Sequence, residues 1–438
     1  MVDLTALSEG VNTVWVLVTA FLIFFMQPGF AMLEAGQVRT KNTANVLMKN
    51  LLDWGIGVLV YFVAGFGIAA LAGGLTSTGG YSVTEAFAYV GDSGAWVTWL
   101  FGAVFAMTAA TIVSGAVAGR IKFRAYVIYS IGLTAVIYPV VQGFVWNGGL
   151  LSPDGFVGAE LGVGYLDFAG ATVVHMLGGV AGLVGAYMIG PRRERFDDDG
   201  NRVPIPGHSI TFAVIGTFIL AFGWYGFNVG TQATVLSVES GELAFAGDAL
   251  GRVALNTTLG MGAGIVAAAI VTGFWKGKPD PLFTANGLVA GLVAITGACA
   301  YVEWWGAIVI GLLGGAQVPI VYFWVVNNLK IDDVCGVFAV HGTAGAIGTL
   351  LIPVFAVGGF SAVQLGMQVI GVLVIAVWTV VGTAVVFKLA DLTVGLRVDE
   401  TEERVGLDRG EHGIKAYPEF TDSTGIGRER GEGGTTDD

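Results

Sequence analysis

Val174-His-Met-Leu-Gly-Gly-Val-Ala-Gly182 and Val340-His-Gly-Thr-Ala-Gly-Ala-Ile-Gly348 share one frame, Val-His followed by glycine four and seven residues after the histidine. Each string lies in a long apolar run, and His175 and His341 are 166 residues apart. A histidine inside a bilayer is expensive, so it tends to face a cavity or a partner rather than lipid. Two in matching frames imply a duplicated unit that meets itself at mid-membrane. That is the layout of a transport pathway.

Composition widens the reading to the whole chain. Of 438 residues, 54% are hydrophobic and 12% charged, with mean hydropathy +0.74. Soluble domains carry about a quarter charged residues, so this reads as an all-α integral membrane protein. A bilayer core needs about 20 apolar residues per helix. Eleven such spans are read at 11–36, 47–73, 96–119, 125–150, 168–190, 208–233, 251–274, 283–301, 304–327, 335–357 and 363–392. The stretch 283–327 also admits a different division around Glu303. Residues 1–392 are thus a transmembrane domain and 393–438 a polar tail, ordered first and disordered from Gly425 to Asp438.

Loop charge tests that count. Arg39/Lys41, Arg120/Lys122/Arg124, Arg192/Arg193/Arg195/Arg202, Lys276/Lys278 and Lys330 fall in alternate loops. The intervening loops carry Asp3, Glu9, Glu85, Asp92, Asp154, Glu160, Glu239, Glu242 and Asp248, with Arg252 the one basic residue near that side. Basic residues crowd cytoplasmic helix ends, which orients the N-terminus outside and the tail in the cytoplasm of a multi-pass cell-membrane protein. The first span lacks a basic leader and a cleavage site, so it is expected to be a retained helix rather than a signal peptide. Cys299 and Cys335 imply no disulfide framework.

Spans 1–5 and 6–10, as two repeats of odd helix number, must enter from opposite faces, leaving span 11 as an extra helix. Such inverted repeats put the substrate path at their interface. Helical rise sets His175 about 12 Å below Asp167 and His341 about 9 Å above Cys335, which brings the rings into reach near the bilayer centre. Small-xxx-small pairs at Gly115/Gly119, Gly178/Gly182, Gly260/Gly264 and Gly311/Gly315 are expected to pack helices within one bundle rather than between subunits.

Several residues carry candidate chemistry. Two neutral imidazoles can share a proton, one as donor and one as acceptor, whereas charging both in an apolar site is resisted. The bland alternative is that each imidazole donates to a neighbouring carbonyl. Asp167 opens the fifth span, either as a helix N-cap or as a carboxylate that stabilises a cation at the outer mouth; the two roles are compatible. Trp146, Trp224 and Phe227 lie near outer span ends and Phe105 lies deeper. These rings are interface anchors or a cation–π site, with Thr231 adding a hydroxyl and apolar rings below forming a narrow gate. Glu34 and Asp53 are expected to bond across helices, Lys388 and Asp391 to pair or snorkel, and Asp332/Asp333 to cap span 10. There is no nucleotide loop, Cys/His metal cluster or hydrolase triad, so no cofactor, enzyme activity or nucleic-acid partner is expected.

Asp167-Phe-Ala-Gly-Ala-Thr-Val-Val-His175, Gly223-Trp-Tyr-Gly-Phe-Asn-Val-Gly230, Asp332-Asp-Val-Cys-Gly-Val-Phe-Ala-Val-His-Gly342 and Lys388-Leu-Ala-Asp-Leu-Thr-Val-Gly-Leu-Arg397 resemble the Amt/Mep/Rh ammonium transporters, the Amt branch above all. The likeness runs from about residue 11 to 420. It implies a homotrimer of eleven-helix subunits, each with its own pore lined by the twin histidines His175 and His341. It implies a stacked gate at Phe105 and Phe227, and a recruitment site at Trp146 and Thr231 above Phe105, supported by Asp167. It also implies coupling of the tail to trimeric PII signalling proteins of nitrogen metabolism. The sequence departs from the family pattern at Asn147 for glycine, Thr231 for serine, and Gly336 where aspartate is common.

Selectivity then has a physical reason. Ammonium and potassium match in size and charge, but only ammonium can shed a proton. A bare ion at the bilayer centre costs several kcal/mol or more, a term that neutral ammonia largely avoids. The expected activity is ammonium collected outside, deprotonated, and passed as ammonia along the imidazoles, with or without a relayed proton. The rivals are an ammonium sensor acting through its tail with little flux, and a proton or potassium channel.

Overall fold

The computed structural model describes residues 3–79 and 83–421. The tail expected to be disordered, Gly425–Asp438, lies outside them. Among the described residues, ten helices are long and apolar enough to cross a bilayer: Leu4–Gln37, Thr40–Leu75, Ser93–Val117, Phe123–Trp146, Ala171–Ile189, Ile210–Thr231, Gly247–Lys276, Trp304–Leu329, Phe338–Phe355 and Ala362–Val394. With the shorter Pro281–Thr296 they match the eleven expected spans one for one. They are numbered spans 1 to 11 in chain order, Pro281–Thr296 being span 8. A hairpin, Leu236–Glu239 paired with Glu242–Phe245, interrupts the all-helical plan between spans 6 and 7. Its turn residues Ser240 and Gly241 both have positive φ, as a tight two-residue hairpin requires.

Local chemistry sets the helix ends. Asp3 caps span 1 on the N–H groups of Thr5 and Ala6, Ser209 caps span 6, and Ser361 caps span 11. Asp280 caps span 8, where Pro281 takes a first-turn position that needs no N–H. Span 1 breaks at Phe25, because Pro28 has no N–H to offer the carbonyl of Phe24. Span 8 has 16 residues, about 24 Å at helical rise, short of the bilayer core. It manages because residues 285–296 are all buried within the bundle and never meet lipid.

Glycine seams bring the halves together. Spans 1 and 6 cross at Gly29, Gly36, Gly216 and Gly223, where an added Cβ would press into the opposing helix. Gly260, Gly264, Gly311 and Gly315 pack spans 7, 8 and 9 inside the subunit, as expected for a bundle. Gly119 does not belong to such a pair: it lies beyond the end of span 3 with φ +79 and closes a turn.

Spans 5 and 10 meet through Gly179, whose hypothetical Cβ lies 2.2 Å from the Gly342 nitrogen. Gly179→Val therefore forces the two histidine-bearing helices apart. Overpacking against movable side chains costs about 1–3 kcal/mol, and here the obstacle is backbone. The variant is expected to unfold at lower temperature in detergent and to lose transport. Gly262→Ala, with no atom within 4 Å of the added carbon, should match the wild type in both measurements.

With eleven spans the termini lie on opposite faces. The basic loops and the tail share the C-terminal face. There Asn42 and Asn45 hold Leu407 and Asp408, at 3.0 and 2.8 Å, and His208 bonds the Tyr417 hydroxyl at 2.9 Å.

Candidate conduction site

Two helix starts of the same design build the centre. At the N-terminal face, Asp167 Oδ1 accepts the N–H groups of Gly170 and Ala171 at 2.9 and 2.7 Å. Its Oδ2 accepts those of Thr172 and Val173 at 2.8 and 3.0 Å, and the Thr172 hydroxyl at 2.6 Å. At the opposite face Asp333 accepts from Val337 and Phe338 at 2.9 and 2.8 Å. Gly170 and Gly336, with φ +101 and +72, make the turns into the helices. Each histidine follows its aspartate by eight residues and its glycine by five. Each also sits in a π-helical opening turn, Ala171–Met176 or Phe338–Thr343. Wide turns of that kind re-aim side chains and recur at functional sites.

Because the starts lie on opposite faces, the two side chains arrive from opposite directions. Their Nδ1 atoms are 3.3 Å apart and the rings 5.4 Å apart at 23°. A hydrogen bond across that gap requires one Nδ1 to be protonated and the other not. His175 Nε2 is buried without a hydrogen-bond partner among the described residues. Trp224 stacks on His175 at 4.8 Å and 16°, fixed by its own bond to Thr296 at 2.7 Å. Trp224 therefore braces the imidazole and is not a wall of the outer cleft.

Above the pair, the Phe105 and Phe227 rings lie 4.1 Å apart with a 34° tilt, both buried. Phe227 also touches His175, at 5.4 Å between rings. Over them opens a cleft of about 250 Å³ whose walls include Phe101, Phe105, Trp146, Gln142, Asn147 and Thr231. Trp146 stands edge-on to Phe105 at 5.9 Å and donates to the Asp167 carbonyl at 2.8 Å. The Thr231 hydroxyl donates to Phe227 one turn back at 2.8 Å. Asp167 itself is not in the cleft wall: its carboxylate is buried and fully engaged as a cap. Phe101 and Gln142 are further wall residues, each four positions before a ring already singled out. That is the same-face spacing of a helix.

Below the pair, Phe30 approaches His341 at 6.1 Å, and an inner vestibule of about 260 Å³ opens past Gln37, Asn286 and Cys335. Lys276 lies over the Phe283 ring at 4.7 Å and Arg202 over Phe323 at 4.8 Å, so cations of the chain itself occupy ring faces at this mouth.

Asp332 does not cap span 10; its neighbour Asp333 does. Asp332 binds Arg192 at 2.7 Å and Arg195 at 3.0 Å, all nearly sealed from solvent. Burial alone would raise its carboxyl, but the guanidinium groups of Arg192, Arg120 and Arg195 prevail and hold it well below the usual carboxylate range. A depressed folded-state pKa stabilises above the unfolded value of about 3.9 and is lost as pH falls through the folded one. Asp332→Asn strands buried arginines, a loss of about 3–5 kcal/mol. Thermal unfolding should show the full deficit at pH 7, narrowing only in strong acid.

The other intramembrane charges are structural. Glu34 accepts from Ser114 at 2.5 Å and Asn50 at 3.3 Å, and Asp53 from Tyr126 at 2.5 Å. Lys388 pairs with Asp391 at 2.9 Å on the surface. Lys49, which the sequence reading passed over, is wholly buried, donating to the Ser114 carbonyl at 3.1 Å and lying 5.1 Å from the Tyr126 ring centroid.

Residues 14–417 match the profile of the Ammonium Transporter Family. The chain is 68% identical over 437 residues to ammonium transporter Amt1 of Haloferax mediterranei, covering 100% of this chain and 85% of that one. It is 56% identical over 429 residues to Amt2 of the same organism, covering 95% and 92%. Among solved structures it resembles one described as a sensor Amt protein, with TM-score 0.81 and 34% identity over 93% of this chain and 99% of that one.

Proposed function

The chain belongs to the Ammonium Transporter Family, and from that membership we propose that it conducts ammonia derived from ammonium along the His175/His341 pair. Ammonium rests against Trp146 and Phe105 beside the Thr231 oxygen, gives its proton to His175 Nε2 beneath Phe105 and Phe227, and crosses as ammonia past the imidazoles. The observation that carries this reading is the 3.3 Å approach of the two imidazoles beneath a closed pair of rings. A dry passage rejects potassium because potassium has no proton to give up. His175 passes its Nδ1 proton on to His341 Nδ1, and His341 sheds its Nε2 proton toward the inner vestibule, so transport carries charge.

The same membership supports a homotrimer in the cell membrane with the N-terminus outside, in accord with the basic residues gathered on the C-terminal face. We further assign that face and its tail as the docking surface for a PII-type partner. The likeness to a sensor Amt protein favours one second reading, in which tail docking reports ligand occupancy and flux is small. Ammonium-dependent current in reconstituted liposomes, with potassium and methylammonium as comparison ions, decides: a transporter gives current with ammonium and none with potassium. Ligand-dependent tail docking without measurable flux would establish the sensor instead.

Trp146→Leu tests the outer site. A cation–π contact contributes about 0.5–2 kcal/mol, so the KM for ammonium should rise about 2- to 30-fold with maximal current little changed. A lowered maximum at unchanged KM would move recruitment elsewhere.

A further inference from the structure

On the C-terminal face, three segments distant in sequence enclose a cleft of about 160 Å³: the turn between spans 1 and 2, the loop after span 5, and the tail. Its wall carries Arg39, Lys41, Arg192, Arg193 and Arg404 against the carboxylates Glu194 and Glu403. Ion pairs do not cancel this charge. Arg192 is engaged by Asp332 at 2.7 Å and Arg193 by Glu400 at 2.6 Å. Glu403 takes Arg397 at 2.7 Å and the Arg193 N–H at 2.7 Å. Lys41 Nζ ends on two backbone carbonyls, those of Glu403 and Arg404, at 2.6 and 2.7 Å. Arg39 and Arg404 are exposed and form no ion pair among the described residues. Arg39, Lys41 and Arg404 thus have no ion-paired carboxylate among the described residues, and the two carboxylates of the wall are Glu194 and the already engaged Glu403. Gly119, with φ +79, also lines the cleft, and a Cβ there would sit 3.1 Å from the Asn42 amide nitrogen.

We propose that this cleft binds a phosphate-bearing anion, which bridges Arg39 and Lys41 of the first turn to Arg404 of the tail. Planar guanidinium groups suit phosphate oxygens, and two from separate segments give a bidentate grip that neither supplies alone. Because one wall is the tail, anion binding and tail docking are linked: whatever binds the closed cleft must stabilise the docked tail. The proposal is independent of the conduction mechanism above.

The test is hydrogen exchange across residues 400–413 of the full-length protein, in neutral detergent at ionic strength matched with potassium chloride. Pyrophosphate is the soluble probe; mixed micelles of that detergent with phosphatidylcholine, with or without phosphatidylglycerol, supply the lipid form. Exchange is expected to slow saturably by about fivefold or more with one of the two phosphate sources. The double variant Arg39→Gln/Arg404→Gln should lose that protection, while Arg252→Gln on the other face keeps it. Protection by pyrophosphate identifies a free phosphate compound, and protection by phosphatidylglycerol alone identifies a lipid headgroup. No protection by either, or equal protection of the double variant, overturns the proposal.

Discussion

Replacing His175 and His341 together by leucine abolishes ammonium-dependent current in proteoliposomes, to less than about a hundredth of wild type. The argument rests on what leucine leaves behind. The passage stays closed by Phe105 and Phe227, and no imidazole nitrogen remains at its centre to hold a solute or pass a proton. Losing proton-relay catalysis alone is worth about 10²–10⁴-fold. The two rings share one hydrogen bond, so they act as a unit. Each single replacement should therefore reach most of the double loss rather than half of it. Retained solubility and elution at the wild-type volume show that the variant is folded. Undiminished current with unchanged selectivity removes the relay, whatever the family.

How much of this was legible beforehand divides along physical lines. Long apolar runs are set by bilayer thickness, so all eleven spans were readable. The doubtful region was 283–327, and the reason is burial: span 8 is enclosed by protein and is free to be short. The histidine pairing was readable because the frame repeats. The deeper repeat was missed, although aspartate eight residues and glycine five residues before each histidine are plain in the sequence. Those positions act through backbone N–H groups and φ, which leave no hydrophobic trace. Gly336 looked like a departure from the family; at φ +72 it is the counterpart of Gly170. Aspartate visits that conformation more readily than most residues, so the alternation of residue types there is understandable. Lys49 escaped notice because it lies near a span boundary in sequence, yet the fold seals it among spans 2, 3 and 4. Trp224 was grouped with the outer rings, whereas its stacking partner is His175.

Asp167→Ala gives the second large effect, and it falls on folding before it falls on flux. Five donors lose their acceptor at once: four backbone N–H groups and the Thr172 hydroxyl, all buried. Each stranded group costs about 1–3 kcal/mol, so the sum rivals the whole stability of an ordinary domain, about 5–15 kcal/mol. Folded protein should be nearly absent. Asp167→Asn, which keeps the shape but turns an NH₂ toward those donors, should melt lower and carry less current in proportion to the folded fraction, with KM within about twofold of wild type. Asp333→Ala strands two backbone N–H groups and should be the milder change. The contrary result is informative: an Asp167→Asn protein that melts normally but binds ammonium far more weakly would mean that the carboxylate acts on the cation through space. The cap would then be the lesser of its two roles.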